Sequence, residues 1–300
     1  MSRIHWLAFN SITGVGGVTA RRLIERFGSI EAAFAAPDEE LLAVPRFTAG
    51  MVARLRGIRL EALESELAEL ADEGLQVLTW DDEGYPANLR QVSDAPPLLF
   101  VRGALRSSDA DAVAIVGTRQ PSPEGAALAG WLARELAWRR LTVVSGLALG
   151  IDTAVHCGAL AAPGGRTLAV PGSGLRTVHP RANAPLAEAI AGRGALLSEL
   201  RPDTPPSGPG LMARDRIQSG LSRAVIVVEA AERGGSVDTA ARARRQGRLL
   251  FAVAGSPGTD LLLAGGAEPL DPETADLDAL VERIRRYEPG GGEPQLGLWE

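Results

Sequence analysis

The chain has no lysine: all 31 basic residues are arginine. Any phosphate it holds is therefore met by a planar, permanently charged fork and never by a point-charge ammonium. The bias itself reads mainly as the codon usage of a GC-rich genome. A single cysteine, Cys157, excludes an internal disulfide and makes a reducing cytoplasm the expected setting. The three histidines are scattered, with no Cys/His cluster at metal spacing, so no metal or other cofactor is expected. No apolar run approaches the roughly 18 residues of a membrane span, and the opening "MSRIHWLAFN" lacks a signal-peptide layout. No membrane association is expected. The glycine fingerprints of nucleotide sites, G-x-G-x-x-G and G-x-x-x-x-G-K-[ST], are missing as well.

What is present suits a globular protein of one large domain with an appendage, or of two domains: 300 residues, 45% of them hydrophobic. The net charge of −6 argues against a general polyanion binder, but the charge is uneven. Residues 38–94 hold 13 acids and 5 arginines, whereas 166–223 hold 8 arginines and 4 acids. A local basic face can bind phosphates on an acidic molecule, because charges beyond about 8–10 Å are screened.

The first 74 residues read as helical. "TARRLIERFG" ends at Gly28, and "SIEAAFAA" follows with Ser29 as its N-cap. Two turns, around Gly14–Gly17 and around Val44–Thr48, resemble paired helix-hairpin-helix elements, which offer backbone N–H groups to DNA phosphates. The alternative is a helical bundle used for packing. From Leu75 the period changes: strand-like runs at 113–116, 141–144, 167–170, 224–228 and 249–253 alternate with helical segments at 124–138, 152–162, 184–191 and 237–246. That alternation predicts an α/β fold with a parallel sheet covered on both faces. Ligands of such sheets bind beyond the carboxyl ends of the strands. Residues 271–300 predict one short C-terminal helix and a flexible tail.

The informative loops lie at those strand ends. "AIVGTR" carries one glycine, Gly117, then Thr118 and Arg119. Ser145 and Gly146 end the next strand, with Asp152 placed to cap a helix, His156 one turn on, and Cys157 expected as a small buried residue. Ser145, His156 and Asp152 also permit a nucleophile–base–orienter reading, which packing roles oppose. "PGSG" supplies Gly172, Ser173 and Gly174, and "HPR" supplies Arg181 after a proline-fixed turn. The segment 201–223 predicts a long loop leading to Arg214 and Arg216 near a helix start, spaced to grip two successive phosphates. Gly234, Gly235 and Ser236 open a helix whose free N–H groups face the same edge. Glu229, at a strand end, is expected to make a polar contact.

These residues resemble the DNA-processing protein A (Smf/DprA) family. The pieces are "AIVGTR", "VVSGLALGIDTAVHCGAL", "LAVPGSGL", "HPRAN", "RDRIQSGLS", "VIVVEAAERGGS" and "GRLLFAVAGS", spread from Leu75 to about Gly266. The resemblance implies an extended Rossmann-like, doubly wound sheet over residues 75–270 behind an all-helical SAM or helix-hairpin-helix-like domain over 1–74. It implies a non-catalytic homodimer that binds single-stranded DNA, protects it, and loads RecA during natural transformation, displacing single-strand-binding protein. The expected strand-binding set is Gly117, Thr118, Arg119, Ser145, Gly146, Gly172, Ser173, Gly174, Arg181, Arg214, Arg216, Gly235 and Ser236. The chain departs from the family pattern at Leu211-Met212, where Phe-Pro is usual, at Asp215 for asparagine, at Gly234 for serine, and at His179 for tyrosine. Two other readings compete: a nucleotide phosphoribohydrolase-like enzyme, for which "GGSVDTAA" lacks the acting glutamate, and an interaction scaffold that has lost DNA binding.

Overall fold

The computed structural model describes residues 2–289. The expected tail from 290 onward lies outside the described residues. Six helices come first: α1 (Ser2–Asn10), α2 (Gly17–Phe27), α3 (Ile30–Ala35), α4 (Asp38–Leu42), α5 (Ala49–Arg56) and α6 (Leu60–Asp72). Ser29 and Thr48 cap α3 and α5 by accepting from the Ala32 and Met51 N–H groups. An antiparallel pair, β1 (Leu75–Thr79) and β2 (Leu98–Gly103), flanks the short α7 (Ala87–Arg90).

The alternating part then runs β3 (Ala112–Val116), α8 (Pro123–Trp138), β4 (Thr142–Ser145), α9 (Ile151–Ala161), β5 (Arg166–Ala169), α10 (Ala184–Arg193) and β6 (Ala195–Ser198). It continues with α11 (Gly208–Leu221), β7 (Ala224–Val227), α12 (Gly235–Arg245), β8 (Leu249–Ala252), α13 (Pro257–Ala264), β9 (Glu268–Pro269) and α14 (Leu277–Arg286). The sheet order is β1-β2-β6-β5-β4-β3-β7-β8-β9, parallel from β6 through β9. The chain winds outward from β3 to β6, then crosses back to place β7 on the other side of β3. The β3/β7 boundary is thus the topological switch point.

Strand side chains alternate between two apolar layers, as a sheet buried on both faces requires. Val113, Ile115, Ala224 and Ile226 face α8, α9 and α14, whereas Ala114, Val116, Val225 and Val227 face α11 and α12. The N-terminal helices do not stand apart. Trp6, Phe9, Leu63 and Leu70 share one core with Val77, Leu98, Phe100, Ala169 and Leu196 of the sheet.

The first N-terminal hairpin is turned into this interface. A side chain on Gly17, at the start of α2, would collide with the Ala95 carbonyl oxygen. Arg21 of the same helix donates to the Val92 and Ser93 carbonyls at 2.9 and 3.1 Å. The start of α5 at the second hairpin is occupied by its own Thr48. The first hairpin thus packs against the sheet, and the second closes on its own cap. The C-terminal α14 is likewise integral, with Leu280, Val281 and Ile284 in the core beneath β3 and β7.

Three local expectations change. The segment after β6 is not a loop up to Arg214: α11 already starts at Gly208, with Ser207 accepting from Gly210 N and Pro209 in its first turn, where a missing N–H costs nothing. The cap position of α9 is Gly150, not Asp152. Cys157 is exposed, because α9 buries Val155, His156 and Ala159 and turns position 157 outward.

Candidate nucleic-acid interface

The Gly117-Thr118-Arg119 loop leaves β3 at the switch point and is held on both sides by backbone. Thr118 N donates to Glu229 O at 2.7 Å, and Ile151 N donates to Thr118 O at 3.1 Å. Glu229 makes the polar contact expected of it: its carboxylate accepts from Ser122 N at 3.1 Å and Ser122 Oγ at 2.8 Å. Ser122 in turn caps α8 through Gly125 N. A loop pinned to α8, α9 and β7 leaves the Arg119 side chain free. It is exposed and has no hydrogen bond or ion pair among the described residues.

Beside it opens a crevice of about 610 Å³ between this loop, α11 and the start of α12. Its wall carries Gly117, Thr118, Arg119, Arg214, Asp215, Arg233, Gly235 and Ser236. α12 begins there with no side-chain cap, so its first N–H groups are open to an anion. Arg233, immediately before Gly234, is exposed and without a partner among the described residues. A smaller hollow of about 90 Å³ adjoins, lined by Gly146, Leu149, Gly172, Ser173, His179 and Pro180; Arg119 borders both.

The floor differs in character from the rim. The Arg214 guanidinium is buried, with Asp215 Oδ1 3.3 Å from its Nε and Asp152 Oδ2 3.7 Å from its Nη2. Gly146 makes room for it: a Cβ there would fall inside the guanidinium. With its amide oxygen turned inward, Gln218 accepts from Gly146 N at 3.2 Å and from Arg214. One cation therefore faces two carboxylates. Burial raises the Asp152 carboxyl above its ordinary range despite Arg214. Burial pushes Asp215 up to about 7, again against the pull of Arg214 and with Asp152 adding to the rise. His156, fully buried and near Arg214, is pushed down to about 3 by burial first and that charge second. It is a neutral core histidine, its Nδ1 2.8 Å from Thr167 Oγ1.

The expected residues divide accordingly. Gly117, Thr118, Arg119, Arg214, Gly235 and Ser236 meet at the crevice, and Gly146, Gly172 and Ser173 at the hollow beside it. Arg181 is exposed just past His179 and Pro180, outside both linings. Ser145 points into the fold, its Oγ donating to Ile115 O at 2.8 Å. With His156 bound to Thr167, the nucleophile–base pairing is not formed. Gly174 is spent on structure, donating its N–H to Thr204 O at 2.9 Å. Arg216 is also turned away from the crevice. Its Nη1 and Nη2 reach Glu199 at 2.5 and 2.6 Å, and its Nε donates to Asp94 O at 3.0 Å. Consecutive odd positions on a helix lie on different faces, so Arg214 and Arg216 cannot track one backbone together. Sequence reasoning passed over Arg233, whose signal was an arginine directly ahead of Gly-Gly at a strand end. It also passed over Gln218, which nothing in the local sequence marks.

The family model for DNA recombination-mediator protein A matches residues 76–281. Protein Smf of a Synechocystis species is 36% identical over 92% of this chain and 72% of its own length. Protein Smf of Escherichia coli is 39% identical over 74% of this chain, which spans 60% of that protein. The X-ray structure of DNA processing protein A from Streptococcus pneumoniae superposes with a TM-score of 0.79 at 31% identity, covering 96% of this chain and 99% of that one. DNA processing protein A from Helicobacter pylori, solved for its single-stranded DNA binding mode, gives 0.60 at 28% identity over 71% of this chain and 97% of that one. The chain belongs to the DNA recombination-mediator protein A family, with the DNA-processing role in recombination that this membership carries.

Proposed function

We propose that this protein binds single-stranded DNA along the switch-point crevice and hands it to a RecA-type recombinase in the cytoplasm. It would act without covalent chemistry, as a homodimer, against single-strand-binding protein, on strands such as those entering by transformation. The observation that carries the reading is that two arginines without a partner among the described residues, Arg119 and Arg233, stand with the uncapped start of α12 around one crevice. Positive charge and fixed N–H donors are what a phosphodiester backbone needs, and no acid or base is required. Arg181 extends the basic rim beyond the hollow. Leu149 and Met212, 49% and 53% exposed, offer apolar surface to unstacked bases in place of the aromatic that the chain lacks there. A paired duplex keeps its bases stacked inside and cannot use that surface. The H. pylori relative's single-stranded DNA binding supports the reading from outside.

Fluorescence anisotropy with oligo-dT and with a duplex of equal length tests it. The single strand binds more tightly, and its affinity falls with salt as phosphate contacts release counterions. Equal affinity for duplex, or no dependence on salt, would defeat it.

A further inference from the structure

We propose that strand binding in this crevice is coupled to proton uptake at Asp215, so that single-stranded DNA is held more tightly as pH falls through neutrality. The inference rests on the reading of the crevice as the strand site. Its basis is the floor geometry, where the single buried guanidinium of Arg214 lies between Asp152 and Asp215. The two carboxylates are not equivalent. Asp152 also accepts from Ala148 N at 3.2 Å, which favours its charged form. Asp215 has Arg214 as its ion-pair partner at 3.3 Å, and its carboxyl borders the crevice. When one proton is shared over this cluster, it therefore goes to Asp215.

Every packed element bears on the balance. Asp152 and His156 face the cluster from α9, Asp238 and Arg242 from α12, and Arg119 and Arg233 from the crevice wall. His156 stays neutral near pH 7, because burial beside Arg214 holds it far below that range. The Asp152 carboxylate keeps the Ala148 N–H as well as Arg214, and so has a second group to hold its charge. That leaves Asp215, which burial has brought to about 7, as the group able to change. A phosphate entering the crevice adds negative charge beside it and favours the protonated form further. The bound state then holds more protons than the free state, and affinity falls as pH rises until both states are ionised. In the protonated state Asp152 balances Arg214, and Arg119 and Arg233 answer the phosphate.

The test is oligo-dT affinity from about pH 6 to about pH 8.5, for the wild type and Asp215→Asn. The wild type loses about fivefold in affinity over that range beyond any loss in the variant, within the tenfold per unit that one proton allows. At the alkaline end the variant binds more tightly than the wild type. Ionisations elsewhere appear in both proteins and cancel. A second measurement needs no variant: calorimetric binding enthalpies in HEPES and in Tris differ by the ionisation heats of the buffers if protons are taken up. Equal pH slopes in the two proteins, or no buffer dependence, overturn the proton coupling and leave the strand site standing. Loss of binding in the variant alone overturns the proton coupling, and failure of the wild type to bind oligo-dT at any pH overturns both.

Discussion

Replacing Arg119 with alanine isolates one phosphate contact from the fold. The loop that carries it is held by backbone bonds to Glu229 and Ile151, and the guanidinium is exposed, with no partner among the described residues. Its removal should leave unfolding free energy within about 0.5 kcal/mol, the range of ordinary surface changes. Charge-assisted hydrogen bonds contribute about 1.5–3 kcal/mol in general, and an exposed rim contact belongs at the low end. About 1.4 kcal/mol corresponds to a tenfold weaker oligo-dT complex. A second number follows from the same contact. Each phosphate neutralised on a single strand contributes about 0.7 to the slope of log affinity against log salt, so the variant's slope should be shallower by about that amount. Anisotropy titrations at four or more salt concentrations give both values. Undiminished affinity with an unchanged slope would remove Arg119 from the strand path. A large loss of affinity accompanied by loss of stability would mean that the loop, not the charge, had been measured.

Arg216→Ala should behave in the opposite way. It leaves Glu199 without the bidentate partner now at 2.5 and 2.6 Å, costing about 3 kcal/mol in urea unfolding, while the folded protein keeps its affinity for oligo-dT. A stable variant with tenfold weaker binding would put Arg216 back among the strand contacts. Gly17→Ala forces a methyl against the Ala95 backbone carbonyl, and overpacking of this kind costs about 1–3 kcal/mol. Limited proteolysis should then cut between the N-terminal helices and the sheet sooner than in the wild type; an unchanged cleavage pattern would show that this contact yields easily.

The parallel sheet was legible because its strands are buried on both faces and read as unbroken apolar runs, with a glycine or polar residue where each one ends. The strand-end loops followed from that alone, and six of the expected residues do meet at the crevice. β6 was harder to see. "ALLS" follows α10 with only Gly194 between, so its apolar residues read as a continuation of the helix. Arg214 and Arg216 looked like a pair because sequence distance was all there was to judge by. Once α11 begins at Gly208, the same two residues fall on different sides of a helix, one under the crevice and one against Glu199. The charge of the floor was beyond reach for the same reason. Asp215 is visible as an acid beside two arginines, which suggests a local ion pair and a neutral surface. Only the fold adds Asp152, from the start of α9 at the sheet edge, and removes Arg216, to Glu199 after β6, turning that segment from cationic to balanced. The chain's basic region is thus less basic in space than in sequence, and the proposed strand site would rest on the few arginines at the rim, such as Arg119 and Arg233, that have no partner among the described residues.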